Sequence, residues 1–160
     1  MGYTHYWYRP ETLDPAIFRN FAADVRKLYA SADGLGLRIA GPCGDGGAIA
    51  ADTKVSFNGS AACGHALHAE IVIPWPTVTA SGIGTADEAK AGYWFAGSSL
   101  QTRTCDGDCS YETMAIGQRE PQAAWRKDEP LVFACCKTAF RPYDVLVTAV
   151  LIALKHHFGS

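Results

Sequence analysis

The chain has 160 residues, of which 48% are hydrophobic and 19% charged, with a formal net charge of −2. That length suits one ordinary domain, able to bury roughly two thirds of its unfolded surface without help from metals or disulfides, and the composition is globular rather than disordered. So even a charge balance supplies no general steering field, so no strong nucleic-acid signal and no anionic membrane surface is expected as a partner.

The opening MGYTHYWYRP has no basic segment followed by an apolar core, so no signal peptide is expected, and Tyr6 stands where myristoylation needs Ser or Thr. The longest apolar run, Val145 to Leu154, is far shorter than the ~20 residues that cross a bilayer. A cytoplasmic protein is therefore expected, its six cysteines mostly reduced.

Tyr3, His5 and Trp7 alternate with Thr4, Tyr6 and Tyr8, the period of a strand rich in aromatic β-formers. Asp14 then reads as a helix N-cap with Pro15 at the first helical position, and Ile17, Phe18, Phe21, Val25, Leu28 and Tyr29 follow at helical spacing as far as Asp33-Gly34. Short β-like runs come next: 37–40, 54–57, 67–73, 93–96, 100–105, 109–116 and 131–135. The Gly41-Pro-Cys-Gly-Asp-Gly-Gly47 stretch lacks the GxxxxGK[ST] pattern of a phosphate loop and reads as a flexible connector. The last element, 143–154, is apolar on nearly all sides and reads as a helix buried against the sheet. Lys155, His156 and His157 fall in its last turn, where positive charge suits the helix dipole, with Gly159 at the C′ position. Residues 1–160 are thus expected to form a single α+β domain: a mostly antiparallel β-sheet packed against an N-terminal amphipathic helix and a C-terminal buried helix.

Several stretches invite chemistry. Cys105-Asp-Gly-Asp-Cys109 reads as a β-hairpin with a three-residue loop, Gly107 supplying the positive φ and the two cysteines facing each other across its base. A structural turn is the first reading, zinc the second and a disulfide the third, because a lone C-x3-C is a weak zinc signal. Asp106, Asp108 and Glu112 lack the regular spacing of a calcium loop. Upstream, His68-Ala69-Glu70 followed by Cys105 and Cys109 resembles the zinc nucleoside and nucleic-acid deaminases. That resemblance implies His68, Cys105 and Cys109 as zinc ligands and Glu70 as the acid/base. Two features depart from it: Pro74 and Pro76 stop the stretch from continuing as a helix, and Thr104 stands where that family has proline. In an extended chain, Leu67, Ala69, Ile71 and Ile73 face the core while His68 and Glu70 share the wetter face.

Cys135-x5-Arg141 after a strand resembles the loop of cysteine-dependent phosphatases, but it has no glycine to let its amides converge, and Pro142 follows the arginine. Lys137 and Arg141 are left as surface charges or a modest anion site. His5 and His65 have no sequence-local partner and read as structural histidines. Trp75, between Pro74 and Pro76, reads as core, or as a partner anchor if exposed.

GYTHYW at 2–7 and CKTAFRPYDVLVTAVLIALKHHFG at 136–159, together with FNG at 57–59, IPWP at 73–76 and CDGDCSYET at 105–113, resemble a family of small uncharacterised proteins of tailed bacteriophages and prophages. The family's recurrent cysteine corresponds to Cys136. The resemblance implies origin and a host-cytoplasm location but carries no mechanism. The leading expectation is a non-catalytic phage accessory protein that binds a host or phage protein or a small nucleotide. The alternatives are a zinc-dependent hydrolase or deaminase and a virion or assembly component forming a homo-oligomer. No cofactor is expected on the leading reading, and zinc is the one the alternative requires.

Overall fold

The computed structural model describes residues 3–72, 102–126 and 128–159. The expected strand at 93–96, Trp75 and the start of the 100–105 run lie outside the described residues. The architecture is α+β.

Strand β1 (Thr4–Arg9) pairs antiparallel with β8 (Val132–Lys137), with His5 opposite Cys136 and Trp7 opposite Ala134. Its odd residues turn inward, and Tyr6 and Tyr8 face solvent. Helix α1 (Pro15–Gly34) begins as expected: Asp14 Oδ1 accepts from the amides of Ala16 at 2.8 Å and Ile17 at 2.9 Å, with Pro15 in the first turn. Phe18, Phe21, Ala22 and Val25 form its buried stripe, each large side chain contributing roughly 1.5–3 kcal/mol of transfer free energy. Ile17 flanks that stripe and is exposed.

The main sheet is built on β4 (Lys54–Gly59), buried from Val55 onward. Strand β2 (Ile39–Ala40) pairs with its C-terminal end, β3 (Ile49–Ala51) with its N-terminal half, and β7 (Met114–Gly117) along Lys54–Phe57. Strand β5 (Leu67–Val72) and β6 (Thr102–Asp106) form a separate antiparallel ribbon with a bulge between Leu67 and Ala69. The bulge places His68 at φ 59° and leaves Leu67 exposed, where the sequence pattern put it in the core. Residues 105–109 therefore do not close a hairpin. Gly107, at φ 79°, turns the chain as expected, but the strands on its two sides pair with β5 and β4 respectively.

The stretch expected to be a flexible connector is folded. Pro42–Gly44 form a 3-10 turn, Gly41 N–H donates to Gly46 O at 3.0 Å, Cys43 N–H to Thr113 Oγ1 at 3.1 Å, and Gly44 O accepts from Ala61 N–H at 2.8 Å. Helix α2 (Asp144–Phe158) packs on α1 and ends at Gly159 with φ 69°. It buries Leu146, Val147, Val150 and Leu154, but Ile152 is 65% exposed, so the helix is buried on one side rather than all round. His157 Nε2 lies 2.9 Å from Asp24 Oδ2 on α1, which ties the two helices beyond any role at the helix end. No helix among the described residues is long and apolar enough to cross a membrane.

Two buried charged groups join these parts. Arg9 donates to the carbonyls of Pro10 at 3.0 Å, Glu11 at 3.2 Å, Gln118 at 3.1 Å and Gly117, with Glu120 nearby. Asp144 is met by His5 Nε2 at 2.7 Å, Thr138 Oγ1 at 2.6 Å and Arg103 Nη2 at 3.1 Å. Burial opposes its ionisation, but the hydrogen bonds from His5 and Thr138 and the Arg103 charge hold the carboxyl below its ordinary value. Between Thr138 and Asp144 the chain turns through Ala139 (φ 50°) and Phe140 (φ 58°), with Arg141 N–H donating to Thr138 O at 2.9 Å. Both central residues are left-handed and neither is glycine, a conformation costing roughly 1–2 kcal/mol per residue.

Asp144→Ala removes the acceptor shared by three groups and is expected to cost about 3 kcal/mol, measured by urea unfolding. Because the folded-state pKa is depressed, the carboxylate's contribution is present above the unfolded value of 3.8 and is lost as pH falls through the lower folded value; the Asp144→Ala protein should lack that part of the acid dependence. Ala139→Gly should stabilise by about 1 kcal/mol, seen as a higher urea midpoint at unchanged slope.

Candidate metal centre

Four side chains from two short segments converge between the main sheet and the β5–β6 ribbon: Cys63, His65, Cys105 and Cys109, with one ligand-type atom from each lying within 4.8 Å of all the others. The first pair comes from the link between β4 and β5. Gly64, at φ 77°, bends the Cys-Gly-His tripeptide so that sulfur and imidazole project together, and the His65 N–H is directed at Cys63 Sγ. The second pair brackets the turn at Gly107, whose N–H is directed at Cys105 Sγ. Asp108 Oδ1 stiffens that turn by accepting from Ser110 N–H at 2.7 Å. Cys109 N–H donates to Ser60 O at 3.1 Å, which seats the second segment on the first. The seat is tight: a Cβ on Gly59 would stand 1.8 Å from Cys109 O.

Cys63 Sγ lies 3.5 Å from Cys105 Sγ, Cys105 Sγ 3.2 Å from Cys109 Sγ, and His65 Nδ1 3.3 Å from Cys109 Sγ. These separations are far longer than the about 2.05 Å of a disulfide. They are close to the edge of a tetrahedron of donors around an ion with bonds near 2.3 Å, about 3.8 Å between sulfurs. All three cysteines are buried and His65 is half-buried. As thiols the three sulfurs resist ionising together. Burial and the neighbouring sulfurs push Cys109 up, burial does the same to Cys105, and Cys63 alone is lowered, against its own burial, by the His65 N–H and the thiols of Cys105 and Cys109. A cation at the centre reverses this order by taking all three as thiolates.

Of the residues singled out in the sequence, Cys105 and Cys109 are brought together and His68 and Glu70 are not. His68 is 74% exposed and its Nδ1 lies 3.0 Å from Asp106 Oδ1. The imidazole beside the sulfurs belongs to His65. Glu70 is exposed and sits opposite Thr104 in the ladder, whereas Cys105 is opposite Ala69, so Glu70 projects from the other side of the ribbon. The segment is extended, as its prolines suggested. Arg141 is drawn to Asp106, Nη1 to Oδ2 2.8 Å, and Lys137 Nζ lies 5.5 Å from the centre of the Tyr111 ring. Cys135 is exposed on a strand, with no loop of converging amides around it. Cys63 and His65 were not anticipated. Their signal was present in the sequence as a second cysteine knuckle of Cys-Gly-His type beside the C-x3-C pair.

No protein-family model matches this chain, and neither the curated proteins nor the solved structures contain a match to it.

Gly59→Ala drives a methyl group into the Cys109 carbonyl and is expected to cost about 3 kcal/mol or more in a urea titration, whereas Gly46→Ala, with open space around its Cα, should cost about 1 kcal/mol.

Proposed function

We propose that this chain is a phage or prophage accessory protein that works in the host cytoplasm by binding a protein partner rather than by catalysis. The observation that carries the reading is the aromatic row on the outer face of the β1–β8 ribbon. Tyr6 is 65% and Tyr8 52% exposed, their rings 6.2 and 5.4 Å from that of Phe133. Arg126 lies over Phe133 at 5.0 Å, and a cavity of about 320 Å³ opens beside them between Gln122, Arg126 and Phe133. Tyrosine, phenylalanine and arginine are side chains that protein interfaces concentrate, the aromatics because they bring large area at low conformational cost and arginine through its planar, multidentate guanidinium. The resemblance of the two chain ends to phage and prophage proteins supports the origin.

The enzymatic alternatives draw little from the geometry. Glu70 stands away from the sulfur cluster, and Cys135, the cysteine of the Cys-x5-Arg stretch, lies within a strand rather than in a loop.

The Tyr6→Ser/Tyr8→Ser protein should fold with unchanged midpoint to within about 0.5 kcal/mol, since both side chains are at the surface. It should also lose roughly 10-fold or more in affinity for the partner that the unaltered protein captures from infected cells, once that partner is purified and titrated by calorimetry. Equal affinities for the two proteins would remove the aromatic row from the reading. A concentration-dependent dimer abolished by the same substitutions would instead favour a self-assembling component.

A further inference from the structure

We infer that Cys63, His65, Cys105 and Cys109 bind one zinc ion as a closed, structural centre. The inference is independent of the binding reading above, and either can fail without the other.

Donor chemistry selects the metal. Three sulfurs and one imidazole nitrogen suit zinc, while magnesium and calcium require oxygen donors. The two carboxylates adjacent to the cysteines are engaged elsewhere, Asp106 by His68 and Arg141 and Asp108 by the Ser110 N–H. The spacing fits: three of the six edges of the four-donor cage are 3.5, 3.2 and 3.3 Å, and all lie within 4.8 Å. His65 faces the cage through Nδ1, so it binds as a neutral ring with its proton on Nε2. On binding, three Sγ–H bonds break, three protons pass to solvent, and three metal–sulfur bonds and one metal–nitrogen bond form. The centre then carries one net negative charge. Amides of His65 and Gly107 directed at the Cys63 and Cys105 sulfurs are placed to share that charge.

The surroundings call for a cross-link. A two-stranded ribbon is marginal in water by itself. Among the described residues, the β5–β6 ribbon packs a small cluster of its own, Cys63, Cys105 and Cys109 with Ala69 and Ile71 against them. An ion held by residues 63–65 and 105–109 fastens the ribbon to the end of β4. Four protein donors complete a tetrahedron, leaving no position for a water or substrate, which is the arrangement of structural rather than catalytic zinc.

Protein purified without chelator is expected to hold one zinc per chain by elemental analysis. Replacement by cobalt chloride should give the intense visible bands of tetrahedral cobalt with a sulfur-to-metal charge-transfer band, and sodium azide should leave that spectrum unchanged. Exhaustive dialysis against EDTA should lower Tm by about 10 °C, restored by zinc chloride. Cys109→Ser and His65→Ala should weaken zinc binding by at least the roughly 10- to 100-fold that loss of an outer partner costs. His68→Ala and Cys136→Ser should retain it. Should the serine variant fail to fold, the stoichiometry and cobalt spectrum of the unaltered protein decide. A folded protein that takes up neither zinc nor cobalt, or an intact mass about 2 Da low from a Cys105–Cys109 disulfide, overturns the inference. Zinc lost on His68→Ala but kept on His65→Ala overturns the ligand set. A cobalt spectrum shifted by azide overturns the closed centre.

Discussion

The buried carboxylate of Asp144 is the constraint on which the arrangement rests. Its three partners belong to three different parts of the chain: His5 to the first strand, Arg103 to the β5–β6 ribbon and Thr138 to the turn after β8, while Asp144 itself opens the last helix. A carboxylate this deeply buried is costly unless hydrogen bonds and a countercharge surround it, so each partner is held in place by what the others need. Arg103 lies two residues before Cys105 on the same strand, on the same side of the ribbon. The group that locks the last helix therefore also sets the height and facing of the ribbon that presents the sulfur.

Around that lock, the segments carrying the sulfurs are braced by backbone rather than by bulk. Asn58 accepts from Gly59 N–H and Tyr111 N–H and donates to Tyr111 O, knitting β4 to the chain leaving the Gly107 turn. The Gly41–Gly47 loop rests on the same region through Thr113 and Ala61, with Gly44 against Ser110. Tyr143 closes the far side, its hydroxyl donating to Glu112 O at 2.7 Å. The left-handed pair Ala139-Phe140 is the strained link in this frame, tolerated because Thr138 and Asp144 are fixed on either side.

Where local chemistry decides an element, the sequence was readable. Asp14-Pro15 starts α1, Gly159 ends α2, alternating aromatics make β1, and residues 67–72 are extended as their pattern suggested. Where distant partners decide, it was not. The Ile-Ala-Ala of β3 has too little β character to stand out and is a strand because β4 lies beside it. Alternation on both sides of Gly107 pointed to a hairpin, yet each strand found a better partner elsewhere. Arg9 carries no sequence signal of burial, because it is enclosed by carbonyls that only the assembled fold brings together. The cluster of three cysteines and a histidine was half legible. The C-x3-C pair was visible, but of two histidines three residues apart, the one followed by glutamate drew attention because it completed a familiar pattern. Gly64 and the bulge at His68 turn the other one inward. The deciding facts were backbone torsions, which a residue pattern does not display.

The pairing of β1 with β8, and the contact between His5 and Asp144, span nearly the entire chain. Such a topology has high contact order and folds late. The first strand therefore has no partner until residues 132–137 reach it. Until β8 is in place, Tyr6, Trp7 and Tyr8 have no strand to lie against, so the aromatic face of β1 is completed only by the far end of the fold.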